Sequence, residues 1–157
     1  NYFNTMLDQK MDWKSAEAIR QQWGKEFCLK GIMSVADAKR AVEIGATAIM
    51  VSNHGGRQLD GARSPFDQLA EIVDAVGDKI DVICDGGIRR GTEVLKALAM
   101  GAHAVSFARP YLYGLAAGGE NGAVLAVECI KNAIVRDMIL LGAQSISDID
   151  YSFVRKR

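Results

Sequence analysis

The chain has 157 residues, 49% apolar and 24% charged, an ordinary balance for one globular domain that buries roughly 68–70% of its unfolded surface. Nineteen basic and nineteen acidic residues cancel, so no global field recruits nucleic acid or an anionic membrane. The apolar runs are too short to span a bilayer, and three widely spaced cysteines, Cys28, Cys84 and Cys129, read as reduced, buried and inert thiols with no metal-ligand spacing.

In chain order, the pattern predicts a helix from Trp13 to Trp23 with Asp12 as its N-cap, then a short strand from Phe27 to Lys30. Ser34 caps a second helix running to Ile44, with Asp37 in the place of the usual capping-box glutamate and Gly45 closing it. Ala46 to Ser52 reads as the second strand, followed by a long loop and a helix over Pro65 to Val76. Asp81 to Asp85 is the third strand, Thr92 to Met100 a helix, and His103 to Ala108 the fourth strand. A last helix is predicted from Gly122 to Leu141.

Nearly all-apolar strands separated by amphipathic helices indicate an α/β fold with a parallel sheet covered by helices. The stretches VEIGATAIMVSN and KALAMGAHAVSFAR repeat one helix–Gly-Ala–strand unit. Four such units make half of an eightfold barrel, and an open doubly wound sheet fits the bare pattern almost as well.

Functional residues of such folds gather where strands end. The four strand ends carry Lys30-Gly31, then Ser52-Asn53-His54-Gly55-Gly56-Arg57, then Asp85-Gly86-Gly87-Ile88-Arg89, then Arg109-Pro110. All fall on one rim, which gathers positive charge in a neutral chain and suits an anionic ligand. In DGGIRRG, glycines permit close backbone approach and Arg89 offers a bidentate contact, with Arg109 able to clamp the other side. The competing reading is a glycine turn with surface arginines. His54 is either a core histidine satisfied by a carbonyl or a base, and a neighbouring Arg57 favours the second as a fork for a carboxylate. Lys30 is a surface ammonium, a salt-bridge partner, or a fixed cation beside a cofactor. His103, at the far end of its strand, reads as structural, Trp13, Trp23 and the methionines as packing, and Asp60 as a turn carboxylate.

SNHGGRQLD, with LKGI upstream and DGGIRRG, ARP and YGLAAGGENG downstream, resembles the C-terminal half of the FMN-dependent 2-hydroxy-acid dehydrogenases and oxidases, over almost the entire chain. The resemblance implies an α/β fold that is the C-terminal half of a TIM (β/α)8 barrel: four parallel β/α units plus a C-terminal helix, with residues 1–157 forming a single partial domain. It implies FMN as cofactor and a small L-2-hydroxy acid as substrate, oxidised to the 2-oxo acid. His54 would be the base and Arg57 the carboxylate ligand. Lys30, Ser52, Asp85, Gly86, Gly87, Ile88, Arg89, Ala108 and Arg109 would contact the cofactor. The usual family form is Gly-Arg-Pro where this chain has Ala108-Arg109-Pro110.

L-lactate is the favoured substrate, because FNTMLDQKMDW and GAQSISDID look closest to bacterial lactate dehydrogenases; glycolate and mandelate stay open. The chain opens Asn1-Tyr2-Phe3 and is expected to need a missing N-terminal half-barrel or a second copy, with weak or no turnover alone. The full-length form is expected to be a cytoplasmic homo-oligomer, with a peripheral membrane or respiratory-chain link left open. One alternative is a non-catalytic half-barrel that binds phosphate compounds or FMN and self-associates. Another is a nucleotide-processing barrel such as inosine-monophosphate dehydrogenase, which needs a loop cysteine where Cys28 and Cys84 fall in strands.

Overall fold

The computed structural model describes Asp8 and residues 10–155, so most of FNTMLDQ lies outside the described residues. Helix α1, Trp13–Trp23, starts where the Asp12 carboxylate accepts hydrogen bonds from the Ser15 amide and hydroxyl, both at 2.8 Å. Strand β1, Cys28–Lys30, leads to α2, Val35–Glu43. Ser34 caps α2: its hydroxyl accepts from the Asp37 amide at 3.1 Å and donates to the Asp37 carboxylate at 2.9 Å. The remaining elements are β2, Ala48–Val51; α3, Pro65–Val76; β3, Asp81–Asp85; α4, Gly91–Ala99; β4, Ala104–Ser106; and α5, Arg109–Leu141.

The strands form one parallel sheet in the order β1-β2-β3-β4, with register pairs Lys30↔Met50, Met50↔Ile83 and Ile83↔Ala104. That order decides between the two architectures open from sequence. A doubly wound sheet reverses its strand order at a switch point, whereas consecutive order with crossovers of one hand keeps every helix on one face, as in a barrel wall. Ile49, Val51, Val82 and Cys84 point to the helices and are fully buried with Leu69, Ile72 and Val76. The alternate residues Ala48, Met50, Ile83 and Asp85 face the opposite side and are only partly covered.

Several expectations change. The final helix begins at Arg109, thirteen residues earlier than Gly122, and is broken at Gly118-Gly119, where Gly119 has φ 58° and ψ −145°. Pro110 suits the first helical turn, and Gly114 and Gly122, which look like helix breakers in sequence, let the two segments touch backbone to backbone. Strand β4 stops at Ser106 rather than Ala108, as the chain turns into α5. Only Cys84 is buried; Cys28 is exposed on the edge strand and Cys129 on α5. Burial, with the neighbouring Asp85 charge, pushes the Cys84 thiol up to about 11 and keeps it unreactive. Trp23 is 59% exposed, its indole Nε1 donating to the Glu26 carbonyl, whereas Trp13 packs against the core. His103 is structural: its Nδ1 accepts from the Val82 amide at 3.0 Å.

Helix α4 packs against α5 through Gly91. A Cβ there would sit 2.5 Å from the Ala133 carbonyl carbon and the Ile134 nitrogen, both backbone atoms that cannot yield without moving a helix. Gly91→Ala is therefore expected to destabilise by about 1–3 kcal/mol, read as a lower thermal midpoint. An unchanged midpoint would contradict this close packing.

Candidate active site

The C-terminal ends of the four strands surround one cavity of about 720 Å³. Lys30, His54, Arg57, Asp85, Gly86, Gly87, Ile88, Arg89, Ala108 and Arg109 all line it, so one hollow gathers ten of the eleven residues singled out from sequence. Ser52 is the exception. It is 1% exposed and lies beneath the cavity, where its hydroxyl accepts from Lys30 Nζ at 2.8 Å and from the His54 amide at 3.1 Å, and donates to Asp85 Oδ2 at 2.5 Å. It holds the floor of the site.

Asp85 is the hub of that floor. Its Oδ2 also accepts from Lys30 Nζ at 3.0 Å, which settles Lys30 as an ion-pair partner whose ammonium still reaches the cavity. Burial pushes the Asp85 carboxyl up, but hydrogen bonds from Ser52, Ser106 and Lys30 and the Lys30 charge outweigh it, leaving the group below the ordinary 3.8. A depressed carboxyl stabilises the fold fully above its unfolded value, and that contribution is lost as pH falls through the folded one. Asp85→Asn should thus lower the thermal midpoint at neutral pH, and the difference from the parent should shrink below about pH 4. A difference constant from neutral pH into that acid range would contradict the assignment.

The loop after β2 explains its two glycines. His54 has φ 55°, and Gly55 and Gly56 follow at 71° and 73°, three left-handed residues in succession. Only glycine takes this conformation freely, and a non-glycine residue held there signals strain of order 1–3 kcal/mol, typical of functional sites. The turn aims His54 inward: its Nδ1 is 3.4 Å from Lys30 Nζ, and its Nε2 would lie 3.1 Å from a Cβ on Gly31, so glycine suits the position just after β1. Gly55 runs close to Arg109, 3.7 Å from Nη2 to where a Cβ would be.

The loops after β3 and β4 form a cradle. Gly86 and Gly87 have φ of 95° and 76°, and a Cβ on either would meet nothing within 4 Å. Glycine is thus demanded by conformation, with open space beside the backbone. The Gly86 amide is spent on the Ser106 carbonyl, while those of Gly87 and Ile88 have no partner among the described residues. The Ile88 side chain packs with Val94 and Ile130, so its offering to the cavity is its backbone. Glu93 Oε2 accepts from the amides of Arg89, at 2.5 Å, and Arg90, at 3.0 Å, holding the loop in shape. Ala108 has φ −126°, which any residue tolerates, so alanine replaces the usual glycine without strain. No side chain caps the N-terminus of α5, which begins at the cavity wall.

Among the described residues, the guanidinium groups of Arg57, Arg89 and Arg109 make no ion pair and no side-chain hydrogen bond. Three unpaired guanidiniums, free amides and a helix N-terminus around one hollow suit anionic groups on more than one side of it. The residues present fit an FMN phosphate on the β3 and β4 side and a carboxylate near Arg57.

Sequence reasoning missed Ser106, Gln58, Tyr111 and Tyr113, which also line the cavity. Ser106 ends β4 and so carried the same strand-end signal as the rest. The tyrosines were obscured because the helix holding them begins at Arg109.

The match to known proteins agrees with this geometry. The family model described as FMN-dependent dehydrogenase matches residues 1–156, and the chain belongs to that family. An L-lactate oxidase of Nostoc sp. is 48% identical over 153 residues, covering 98% of this chain and 42% of the relative. A solved (S)-mandelate dehydrogenase, described as a monotopic membrane protein, superposes with a TM-score of 0.94 at 36% identity, over 99% of this chain and 41% of that one. A flavocytochrome b2 variant with pyruvate bound gives 0.88 at 40% identity, over 92% of this chain and 38% of that one. The chain thus spans about two fifths of the length of these relatives. No helix among the described residues is long and apolar enough to cross a membrane.

Proposed function

We propose that this chain is the C-terminal, cofactor- and substrate-holding half of a barrel that oxidises a small L-2-hydroxy acid, with L-lactate favoured, to its 2-oxo acid. The observation that carries this is the left-handed turn that presents His54 and Arg57, three residues apart, to the same cavity as the glycine–arginine cradle. FMN, when bound, supplies a two-electron acceptor. Arg89, Arg109 and the amides of Gly87 and Ile88 would hold its phosphate end, with Gly86 and Ala108 leaving room for the tail. Lys30, fixed by Asp85 and Ser52, would set a positive charge beside the ring.

Arg57 binds the substrate carboxylate through its planar fork and so orients the hydroxyl-bearing carbon. His54 takes a proton from the substrate as general base. The substrate loses two electrons and two protons in becoming the 2-oxo acid, and His54 holds one of those protons. The L-lactate assignment is supported by the Nostoc relative and by the pyruvate bound in the flavocytochrome b2 neighbour.

Strands β1 and β4 each pair on one side only among the described residues, leaving edges of the kind that closed barrels remove. The working unit is therefore a barrel completed by further strands, from a longer polypeptide or a second copy, in a homo-oligomer. Peripheral membrane attachment of that unit follows the precedent of the monotopic mandelate dehydrogenase.

Anaerobic addition of L-lactate, glycolate or mandelate to the purified, flavin-loaded full-length protein should bleach its visible flavin colour, fastest with L-lactate. A colourless protein that binds inorganic phosphate and stays colourless with FMN supplied would favour a non-catalytic phosphate-binding module instead.

A further inference from the structure

Building on the reading above, we infer that Asn53 is a positioning residue: it fixes where Arg57 sits relative to His54, and so sets how well the site holds a substrate carboxylate. His54 has its own anchor, because its amide donates to the buried Ser52 hydroxyl at 3.1 Å. Arg57 is exposed, and among the described residues its guanidinium makes no ion pair and no hydrogen bond. What stands between the two is the left-handed Gly55-Gly56 turn, and Asn53 closes that turn. The Gly56 amide donates both to the Asn53 carbonyl at 3.0 Å and to the Asn53 side-chain Oδ1 at 3.2 Å.

The other end of the same carboxamide reaches across the loop. Asn53 Nδ2 donates to the Arg63 carbonyl at 3.1 Å, pinning the start of the loop to its end ten residues on. Arg63 is itself tied down: Nη1 donates to Gln68 Oε1 at 2.7 Å, and Gln68, 4% exposed on α3, donates to Glu71 Oε2 at 2.9 Å. One carboxamide therefore joins the active turn to the body of α3. A carboxylate at this position has no donor for the Arg63 carbonyl, and a serine hydroxyl, though donor and acceptor, is a single atom too short to span both partners.

Removing the clasp should act on Arg57 more than on His54, which gives a signature that general destabilisation does not. In the flavin-loaded, full-length protein, Asn53→Ala should raise KM for L-lactate, and weaken binding of the inert dicarboxylate oxalate, by about tenfold or more, with kcat within about threefold of the parent. Asn53→Ser, which keeps an acceptor for the Gly56 amide and loses the link to Arg63, should fall between the two. It also serves as the deciding variant if Asn53→Ala fails to retain flavin.

Equal falls in kcat and kcat/KM with oxalate affinity unchanged would overturn the inference, as would parental behaviour of Asn53→Ala. An active parent with either of those results sinks the role of Asn53 alone. A parent whose flavin no 2-hydroxy acid reduces sinks the proposed activity, and this inference with it.

Discussion

His54→Ala in the flavin-loaded enzyme should retain FMN and slow the reduction of that flavin by substrate about 10²–10⁴-fold. Retention follows from the division of labour in the cavity: the cradle after β3 and β4 owes nothing to the imidazole, and the Ser52 hydroxyl bonds the backbone of residue 54, which any side chain provides. The loss follows from removing the imidazole, the one side chain of the turn with a nitrogen lone pair that can accept the substrate's proton. Alanine keeps the left-handed strain at φ 55° that histidine already bears, so the comparison is fair on conformation. His54→Asn sharpens it, because asparagine tolerates that region best among non-glycine residues and still offers no base. Anaerobic rapid mixing reads the rate directly, and parental reduction rates in both variants would remove His54 from the chemistry.

Arg57→Lys should weaken binding of the 2-hydroxy acid by roughly one to two orders of magnitude, since the charge stays while the fork is lost and hydrogen bonds to charged groups contribute about 1.5–3 kcal/mol. The guanidinium has no partner among the described residues, so no internal ion pair is broken and the protein should be as stable as its parent. The turnover number should change far less than KM. A variant with parental KM and lowered turnover would place the carboxylate elsewhere.

Sequence alone made the wall of the fold legible because its strands are almost wholly apolar and its helix ends carry Asp12, Ser34 and Pro65. It left barrel and doubly wound sheet undivided, since strand order is a long-range property that local patterns do not contain. The reading of α5 failed at glycines: Gly114, Gly118, Gly119 and Gly122 look alike in a sequence, yet one pair breaks the helix and the other lets two segments touch. Cys28 and Trp23 were misplaced as interior because an apolar residue in a strand or helix does not reveal whether a neighbour covers it.

At the site, the strand-end rule found most of the lining residues, because position along a strand fixes which rim a side chain joins. What it missed was support. Ser52 and Asn53 both fall on the strand-end rim in sequence, but the bonds they make to backbone and floor have no spacing signature.

The most direct measurement is a crystal structure of the flavin-loaded protein with a 2-oxo acid bound. We expect the acid's carboxylate on the Arg57 guanidinium, its oxo carbon facing the His54 ring, and the flavin phosphate against Gly87, Arg89 and Arg109. A carboxylate resting on Arg89 or Arg109, or a flavin tail anchored away from the β3 and β4 loops, would contradict the account at its root.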